Sequence, residues 1–268
     1  MSPSDIARAA AGSLRLTPAE ADEIVRRATE YPYAAPAHSY LYDASSPTGW
    51  RALPPESALL QGRTPVLASG SNRAPERLAQ KFRALFPAAL IPVTRAHLGG
   101  FDSVYCAHVT SYGSVPATLH PSPGTRVALH VTWLTDDELA CMHETEQPGI
   151  NYHFARLRNL DLTLDDGRMG FAQAYAYLSV HGAALFDGAP VALAAIEATA
   201  RRFPARDQNA MLARLHALTA SELRFGEFVR GMIGAEIERV RLRESYEALL
   251  RRSVARFPFD TVDIVPVP

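Results

Sequence analysis

The sequence has little that would mark a secreted or membrane-spanning protein. Only two cysteines, Cys106 and Cys141, occur in 268 residues. Two thiols are too few for a disulfide framework, and although they could pair, we expect free thiols. No run of about 18 apolar residues is present, so we expect no membrane span. The segment from Met1 to Asp5 lacks a basic and apolar leader, so we expect no signal peptide and a cytoplasmic location.

A charge excess of either sign is also missing. The chain carries 27 Lys and Arg residues against 28 Asp and Glu residues, a formal net charge of -1. Nucleic-acid-binding domains usually show a clear basic excess, so we expect no nucleic-acid partner. Lysine is almost absent, and Lys81 is the only one. What is present, 47% hydrophobic residues, is enough for one substantial core, and the length suits one domain with extensions or two small domains.

The N-terminal third divides into a helix and a proline-rich arm. Thr17-Pro18-Ala19-Glu20 is a capping box with proline at the first helical position, which predicts a helix to about Glu30. The segment from Tyr31 to Pro65 is predicted to be an irregular covering arm. A long helix is excluded there by five prolines: Pro32, Pro36, Pro47, Pro54 and Pro55.

The pattern then changes to strand, small-residue loop and helix. An apolar run at 64–68 precedes the loop 69–72, and a helical pattern follows from Pro75 to Phe86. Between Leu90 and Trp133, abundant Val, Thr and Tyr predict several short strands of a mostly antiparallel or mixed sheet. Their predicted turns are Gly99-Gly100, Gly113-Ser114 and Pro121-Ser122-Pro123-Gly124.

A second capping box, Thr135-Asp136-Asp137-Glu138, predicts a short helix that ends near Glu146. Strands near 152–162 and 171–180 are predicted to form a hairpin, turned at Asp165-Asp166-Gly167. From Pro190 onward the chain is predicted to be helical to its end.

Two features suggest chemistry. Gly70-Ser71-Asn72 lies between a strand and a helix, where small residues let the backbone approach a ligand and free N–H groups favour an anion. Glu144 and Glu146 fall at a helix C-terminus, where the macrodipole disfavours acids by roughly 0.3–1 kcal/mol. The plain alternatives are a loop that only turns the chain and two solvated surface acids.

Other catalytic patterns are weak or missing. The sequence has no Walker A motif, no GxGxxG and no GxSxG elbow, and HExxH fails because Gln147 stands at the second histidine position. No metal site is predicted, because the histidines match no zinc-ligand spacing. They are His108, His120, His130, His143, His153 and His181. Ser71 has no identifiable base that would make it a nucleophile.

The order of these features resembles the gamma-glutamylcyclotransferase-like family. Five features occur in the same order as in that family. They are the Gly-Ser-Asn loop, the segment 114–124, the strand 127–133, the helix closed by Glu146, and Tyr175-Ala176-Tyr177-Leu178. The resemblance covers roughly half the chain. It implies an α+β fold, a small mixed β-sheet or barrel with flanking helices and a helical C-terminal extension.

This fold divides the chain into three parts. We expect an N-terminal helix and arm at 1–64, the gamma-glutamylcyclotransferase-like domain at 65–205 and a helical extension at 206–268. We expect the extension either to pack on the core or to form a homodimer through its helices.

The resemblance also assigns roles. It implies that Ser69, Gly70, Ser71 and Asn72 bind the substrate and that Glu146 transfers the protons. Tyr152 falls where the family often has a tyrosine near the pocket, and Arg73 is either an extra carboxylate ligand or a solvated arginine.

Three departures affect the substrate more than the fold. Ser69 replaces the family's usual aromatic residue, so one pocket wall is lost or supplied elsewhere. His143 and Gln147 replace the Asp and Gly that flank the family's acidic segment.

The implied reaction is intramolecular aminolysis of a small-molecule amide. The α-amine of a γ-glutamyl group attacks its own γ-carbonyl, releasing 5-oxoproline and an amine, without a metal or organic cofactor. We expect Glu146 to serve as general acid and base with a pKa raised by burial. The alternatives are a small-amide or ureido lyase or hydrolase on the same fold, and a non-catalytic binding or scaffold module.

Overall fold

The computed structural model describes residues 17–54, 58–165, 170–234 and 236–267. Within these ranges the fold is α+β, with six α-helices, a 12-stranded mixed sheet and a 3-stranded sheet. The helices are α1 (Pro18–Thr29), α2 (Pro75–Phe82), α3 (Asp136–Glu146), α4 (Gln208–Leu218), α5 (Phe225–Gly231) and α6 (Ile237–Leu250). The strands are β1 (Tyr40–Asp43), β2 (Trp50–Ala52), β3 (Thr64–Ala68), β4 (Leu90–Tyr105), β5 (Ala117–Leu134), β6 (Tyr152–Arg158), β7 (Leu162–Leu164), β8 (Gln173–Ser179), β9 (Ala183–Phe186), β10 (Ala189–Pro190), β11 (Ala192–Leu193), β12 (Ala198–Thr199), β13 (Ala205–Arg206), β14 (Val254–Ala255) and β15 (Asp263–Ile264).

The large sheet is mixed, as predicted, but it does not close into a barrel within the described ranges. Its main path runs β13-β11-β4-β5-β3-β8-β6-β15, and only β3–β8 and β11–β13 are parallel pairs on it. Closure would require the two ends to pair, and both ends are strands of two residues. The predicted hairpin is present as the antiparallel pair β6–β8. Its predicted turn, Asp165-Asp166-Gly167, lies mostly outside the described residues.

The region predicted to hold several short strands forms two long ones. β4 has 16 residues and β5 has 18, and they pair along their length. The predicted turn at Gly99-Gly100 is wrong because the pairing continues through it with a shift of register, with Gly100 at a φ of 79°. Opposite it, 122–125 bulge out of β5 between Pro121 and Arg126. A bulge absorbs the glycines and prolines without ending either strand.

The N-terminal part contains the predicted helix and more order than expected after it. Thr17 and Glu20 form both halves of the capping box of α1. The arm is not irregular throughout, because β1 and β2 form an antiparallel pair and β1 also pairs with β4. Tyr40–Asp43 holds no proline, so its backbone is free to pair, and all four residues are buried.

The prediction of continuous helix after Pro190 is wrong. Short strands occupy much of the chain up to Arg206, and the first helix, α4, begins at Gln208 behind the side-chain cap of Asp207. The helical stretch after Phe225 is divided into α5 and α6 near Gly234, whose φ of 121° is unsuited to a helix.

All three predicted segments contribute to one hydrophobic cluster. Ala28 and Tyr31 come from the N-terminal part, and Leu129 comes from the central sheet. The C-terminal helices supply Met211, Leu212, Leu215, Phe228, Val229, Met232, Leu242, Tyr246 and Leu250. Their apolar faces therefore stabilise this chain's own core, while the homodimer stays a prediction. Cys106 and Cys141 are buried and free, and no helix in the described ranges is long and apolar enough to cross a membrane.

Candidate active site

A cavity of about 720 Å³ opens where the loop after β3 meets the end of α3. Of the predicted site residues, Ser69, Gly70, Ser71, Asn72, Glu146 and Tyr152 all line it. The fold thus brings together residues separated by more than 70 positions in the chain. Within the described residues, the lining holds three arginines and a single carboxylate, that of Glu146.

The loop is held against the sheet and a neighbouring tyrosine. The Ser103 hydroxyl donates to the carbonyl of Ser69 at 2.6 Å, which fixes the start of the loop. Gly70 is required by space, because a Cβ there would lie 2.1 Å from the Tyr31 hydroxyl oxygen. Tyr31 is anchored in turn, since its hydroxyl accepts from the backbone N–H of Ala117 at 2.8 Å.

Tyr31 supplies an aromatic wall that the sequence comparison had left open. It lines the cavity, is only 4% exposed and comes from the N-terminal part of the chain. Position 69 is a serine and carries no ring, and Tyr31 reaches the same loop from a different segment. No local motif marks it, because its contacts with Gly70 and Ala117 are long-range.

Helix α3 carries Glu146 on its last residue. Its start is fixed by the reciprocal bonds of Thr135 and Glu138, and Arg63 donates to Glu138 at 2.5 Å. It ends because Gln147 adopts a left-handed conformation with a φ of 50°. Glu146 therefore points into the cavity, whereas Glu144 is exposed and absent from the lining.

The Glu146 carboxylate is held by two side chains from other parts of the chain. Asn72 Nδ2 donates to Glu146 Oε1 at 3.2 Å. Lys81 Nζ, on α2, forms an ion pair with the same oxygen. The Lys81 side chain is 1% exposed and that of Glu146 13%, so the pair is almost entirely removed from water. The only lysine of the chain thus forms an ion pair with the one carboxylate that lines the cavity within the described ranges.

This ion pair reverses the expected pKa of Glu146. Burial by itself would raise the pKa, but the ammonium of Lys81 and the hydrogen bond from Asn72 outweigh it and lower the pKa below its ordinary value. The prediction of a raised pKa is wrong because it omitted Lys81. Burial in turn lowers the pKa of Lys81 to about 8, although Glu146 acts in the opposite direction.

Aromatic residues and histidines form the wall next to Glu146. Tyr152 is 8% exposed, and burial raises its pKa well above the ordinary value, so its hydroxyl stays protonated. The Tyr177 hydroxyl lies 2.8 Å from Nδ1 of His143. Burial lowers the pKa of His108 to about 3, so His108 is neutral. This wall presents hydrogen-bonding groups without charge.

Arg73 does not line the cavity. Its Nη2 donates to the carbonyl of Ala195 at 3.2 Å, and its own carbonyl accepts from the Tyr40 hydroxyl at 2.7 Å. The arginines of the lining are instead Arg27, Arg77 and Arg243. Sequence reasoning missed them because they lie on three helices that come together only in the folded chain.

The histidines do not converge on a metal site. Ring centroids of His108 and His181 lie 5.2 Å apart, but no group of three or more His, Cys, Asp or Glu side chains in the described ranges has a metal-binding arrangement.

Comparisons with known proteins leave the family open. No protein-family model matches the chain, and no curated protein matches it. Among solved structures it is similar to a gamma-glutamyl cyclotransferase, with 14% identity, 71% of this chain and 99% of that chain covered, and a TM-score of 0.36. An Arabidopsis thaliana protein solved in solution shares 18% identity over 44% of this chain and 70% of its own, at a TM-score of 0.34. An uncharacterized Homo sapiens protein shares 20% identity over 45% of this chain and 68% of its own, at a TM-score of 0.36. With TM-scores this low, function has to be inferred from the cavity itself.

The cavity combines an ionised carboxylate, a small-residue loop and a cationic surround. A carboxylate with a lowered pKa is ionised at neutral pH, so it can accept a proton from a group brought against it, although the low pKa makes it a weak base. Backbone N–H groups at a strand-to-helix turn suit an oxyanion. These parts fit acyl-transfer chemistry on an anionic small molecule.

Proposed function

We propose that the chain catalyses the intramolecular cyclisation of a γ-glutamyl amide or related small amide, releasing 5-oxoproline and an amine. One observation carries the proposal: the Gly70–Asn72 loop and the Glu146 carboxylate face the same cavity and are joined by the Asn72–Glu146 hydrogen bond of 3.2 Å. A carbonyl carbon between them would have a proton acceptor on one side and backbone N–H groups on the other.

The reaction begins with proton transfer. The substrate's α-ammonium group gives a proton to the ionised Glu146 carboxylate, and the freed amine attacks the γ-carbonyl to close a five-membered ring. Because nucleophile and carbonyl belong to one molecule, the cavity needs to fold the substrate rather than capture a second reactant. Backbone N–H groups of Gly70, Ser71 and Asn72 stabilise the oxyanion. The carbon–nitrogen bond then breaks as the leaving nitrogen takes that proton from Glu146. The ring nitrogen, cationic after the attack, gives its second proton to the freed carboxylate, which passes it to the released amine, and no water is consumed.

Lys81 influences these proton transfers through Glu146. Its ammonium keeps the carboxylate ionised and holds one oxygen, which leaves the other free for the substrate. The same charge makes Glu146 a weaker base than a buried carboxyl without a cation. A neutral Lys81, reached above its pKa of about 8, strengthens the base.

A second candidate is favoured by that same ion pair. A carboxylate committed to Lys81 also suits a non-catalytic module that binds a small molecule in the cavity without turning it over. The two candidates differ in a direct assay, because a binding module protects the protein from thermal unfolding when ligand is added yet releases no product.

The test is a substrate panel followed by mass spectrometry. Purified protein is offered γ-glutamyl amino acids, γ-glutamyl amines and small ureido compounds. Appearance of 5-oxoproline supports cyclisation, and ammonia or carbamate release from ureido compounds supports the lyase or hydrolase alternative. If ligands stabilise the protein and none is converted, the cyclotransferase proposal is wrong and the binding module is supported.

A further inference from the structure

Two guanidinium groups come together on one wall of the cavity. Arg27 is on α1 and Arg77 on α2, and both line the cavity. Their Cζ atoms lie 5.4 and 5.2 Å from the ring centroid of Tyr112, which also lines it. Cation–π contacts with one shared ring thus hold two like charges close to each other.

These guanidinium groups are poorly satisfied. Arg27 and Arg77 each donate to the same oxygen, Oε1 of Gln80, at 3.0 Å. Their Nε atoms are buried and have no hydrogen-bond partner in the described part of the chain. No carboxylate there forms an ion pair with either arginine. Buried donors are normally paired, and these atoms lack an acceptor among the described residues.

An anion is the ligand that would satisfy both groups. Guanidinium N–H donors match the geometry of a carboxylate or phosphate, often in pairs, and a negative charge would relieve the repulsion between the two arginines. Arg77 also acts to lower the pKa of Glu146, so Arg77 lies near the proposed base. Neither arginine belongs to the Gly70–Asn72 loop, so the loop N–H groups remain for the reacting carbonyl.

We propose that Arg27 and Arg77, arranged on Tyr112, form an oxyanion subsite that binds a carboxylate or phosphate on the leaving side of the substrate. The assignment of this subsite to the leaving side of the substrate rests on the proposed function. Binding of the anion itself does not depend on turnover, so the subsite can be tested alone.

The test compares inert ligands that differ in one group. Glutaryl-alanine and glutaryl-ethylamide differ by a single carboxylate, and a glutaryl-(1-aminoethyl)phosphonate replaces that carboxylate with a phosphonate. None has the α-amine needed for cyclisation, so calorimetry on the wild-type protein measures binding alone. We expect glutaryl-alanine, the phosphonate ligand or both to bind about tenfold or more tightly than the ethylamide, because charge-assisted hydrogen bonds are strong.

Variants assign that preference to the two arginines. Arg77→Gln and Arg27→Gln are each expected to bring the affinity ratio close to one. The matched control is Arg26→Gln. Arg26 is on α1 beside Arg27, forms ion pairs with Glu23 and Glu30, and does not line the cavity. Thermal unfolding checks that each variant folds. Independently of any variant, the wild-type ratio should fall as salt rises from about 0.05 to 0.5 M.

The outcomes separate the subsite from the reaction. A wild-type ratio near one, or a ratio unchanged in both arginine variants, overturns the subsite even if 5-oxoproline is released. A ratio that collapses in the variants supports the subsite even if no γ-glutamyl compound is converted, and then only the proposed reaction fails. Whichever acidic ligand binds more tightly identifies the group as carboxylate or phosphate.

Discussion

Glu146→Gln is expected to destabilise the fold by an amount that depends on pH. The substitution keeps the size of the side chain but removes the negative charge beside Lys81, whose side chain is 1% exposed. Removing one partner of a buried ion pair commonly costs about 3–5 kcal/mol, because the other charge is left buried and unpaired. Lys81 has a way to avoid that full cost, since it can lose its proton.

The pKa of Lys81 sets the size of the effect. With a pKa of about 8 in the folded protein, neutralising Lys81 at pH 7 costs one pKa unit, or about 1 kcal/mol. At pH 6 it costs two units, or about 3 kcal/mol, and at pH 9 close to nothing. The loss of unfolding free energy caused by Glu146→Gln therefore has an upper limit that falls as the pH rises. At pH 7 this limit of about 1 kcal/mol lies well below the roughly 3–5 kcal/mol that is common for a broken buried ion pair.

Urea unfolding at pH 6, 7, 8 and 9, followed by fluorescence of Trp50 and Trp133, measures this dependence. Glu144→Gln is the matched control, because Glu144 is exposed on the same helix and its substitution should change the free energy of unfolding by less than about 0.5 kcal/mol at every pH. A loss of about 4 kcal/mol at pH 7 that persists at pH 9 would refute the reasoning, since Lys81 would then not be relieving the charge.

Three further substitutions test the parts that support the site. Lys81→Met removes the cation and leaves burial to raise the pKa of Glu146, so the acidic limb of the kcat/KM profile should move to higher pH; an unmoved limb contradicts the role of Lys81. The folded pKa of Lys81 lies below its unfolded value, so the unfolded state binds more protons between about pH 8 and 10.5. Wild-type stability should accordingly rise with pH in that window, and Lys81→Met should abolish the rise. Gly70→Ala places a Cβ 2.1 Å from the Tyr31 hydroxyl oxygen and should lower the free energy of unfolding in denaturant by about 1–3 kcal/mol. Adding Tyr31→Phe should recover part of that loss, and additive effects of the two changes would contradict the steric account. Thr135→Ala removes the N-cap of α3 and should cost about 1 kcal/mol by the same method, and an unchanged midpoint would show that the cap is not needed.

Local signals in the sequence predicted the elements that carry the site. The capping boxes at Thr17 and Thr135 fixed where α1 and α3 begin, because each depends on residues three positions apart. The position of Glu146 at a helix end and the small residues of Gly70–Asn72 were also visible. The structure places these residues in one cavity, while their catalytic roles stay predictions.

Long-range pairing explains what sequence patterns missed. Gly99 and Gly100 suggest a turn when only neighbours are considered, but pairing with β5 carries the strand through them as a bulge. Lys81 and Arg77 are part of an ordinary helical pattern, and nothing nearby shows that they reach Glu146 and Tyr112. Their importance follows from helix packing, so the pKa of Glu146 was predicted in the wrong direction.

The most direct test of cyclisation at Glu146 is a release assay with matched variants. Wild type, Glu146→Gln and Glu144→Gln, each shown to be folded at pH 8, are given γ-glutamyl-alanine and γ-glutamylethylamide, and 5-oxoproline is quantified by mass spectrometry. We predict release by wild type and Glu144→Gln, with a loss of about 100-fold or more in Glu146→Gln, the scale of a lost general base. Equal release by Glu146→Gln, or none by wild type, would contradict the assignment of Glu146 as the base of a cyclisation.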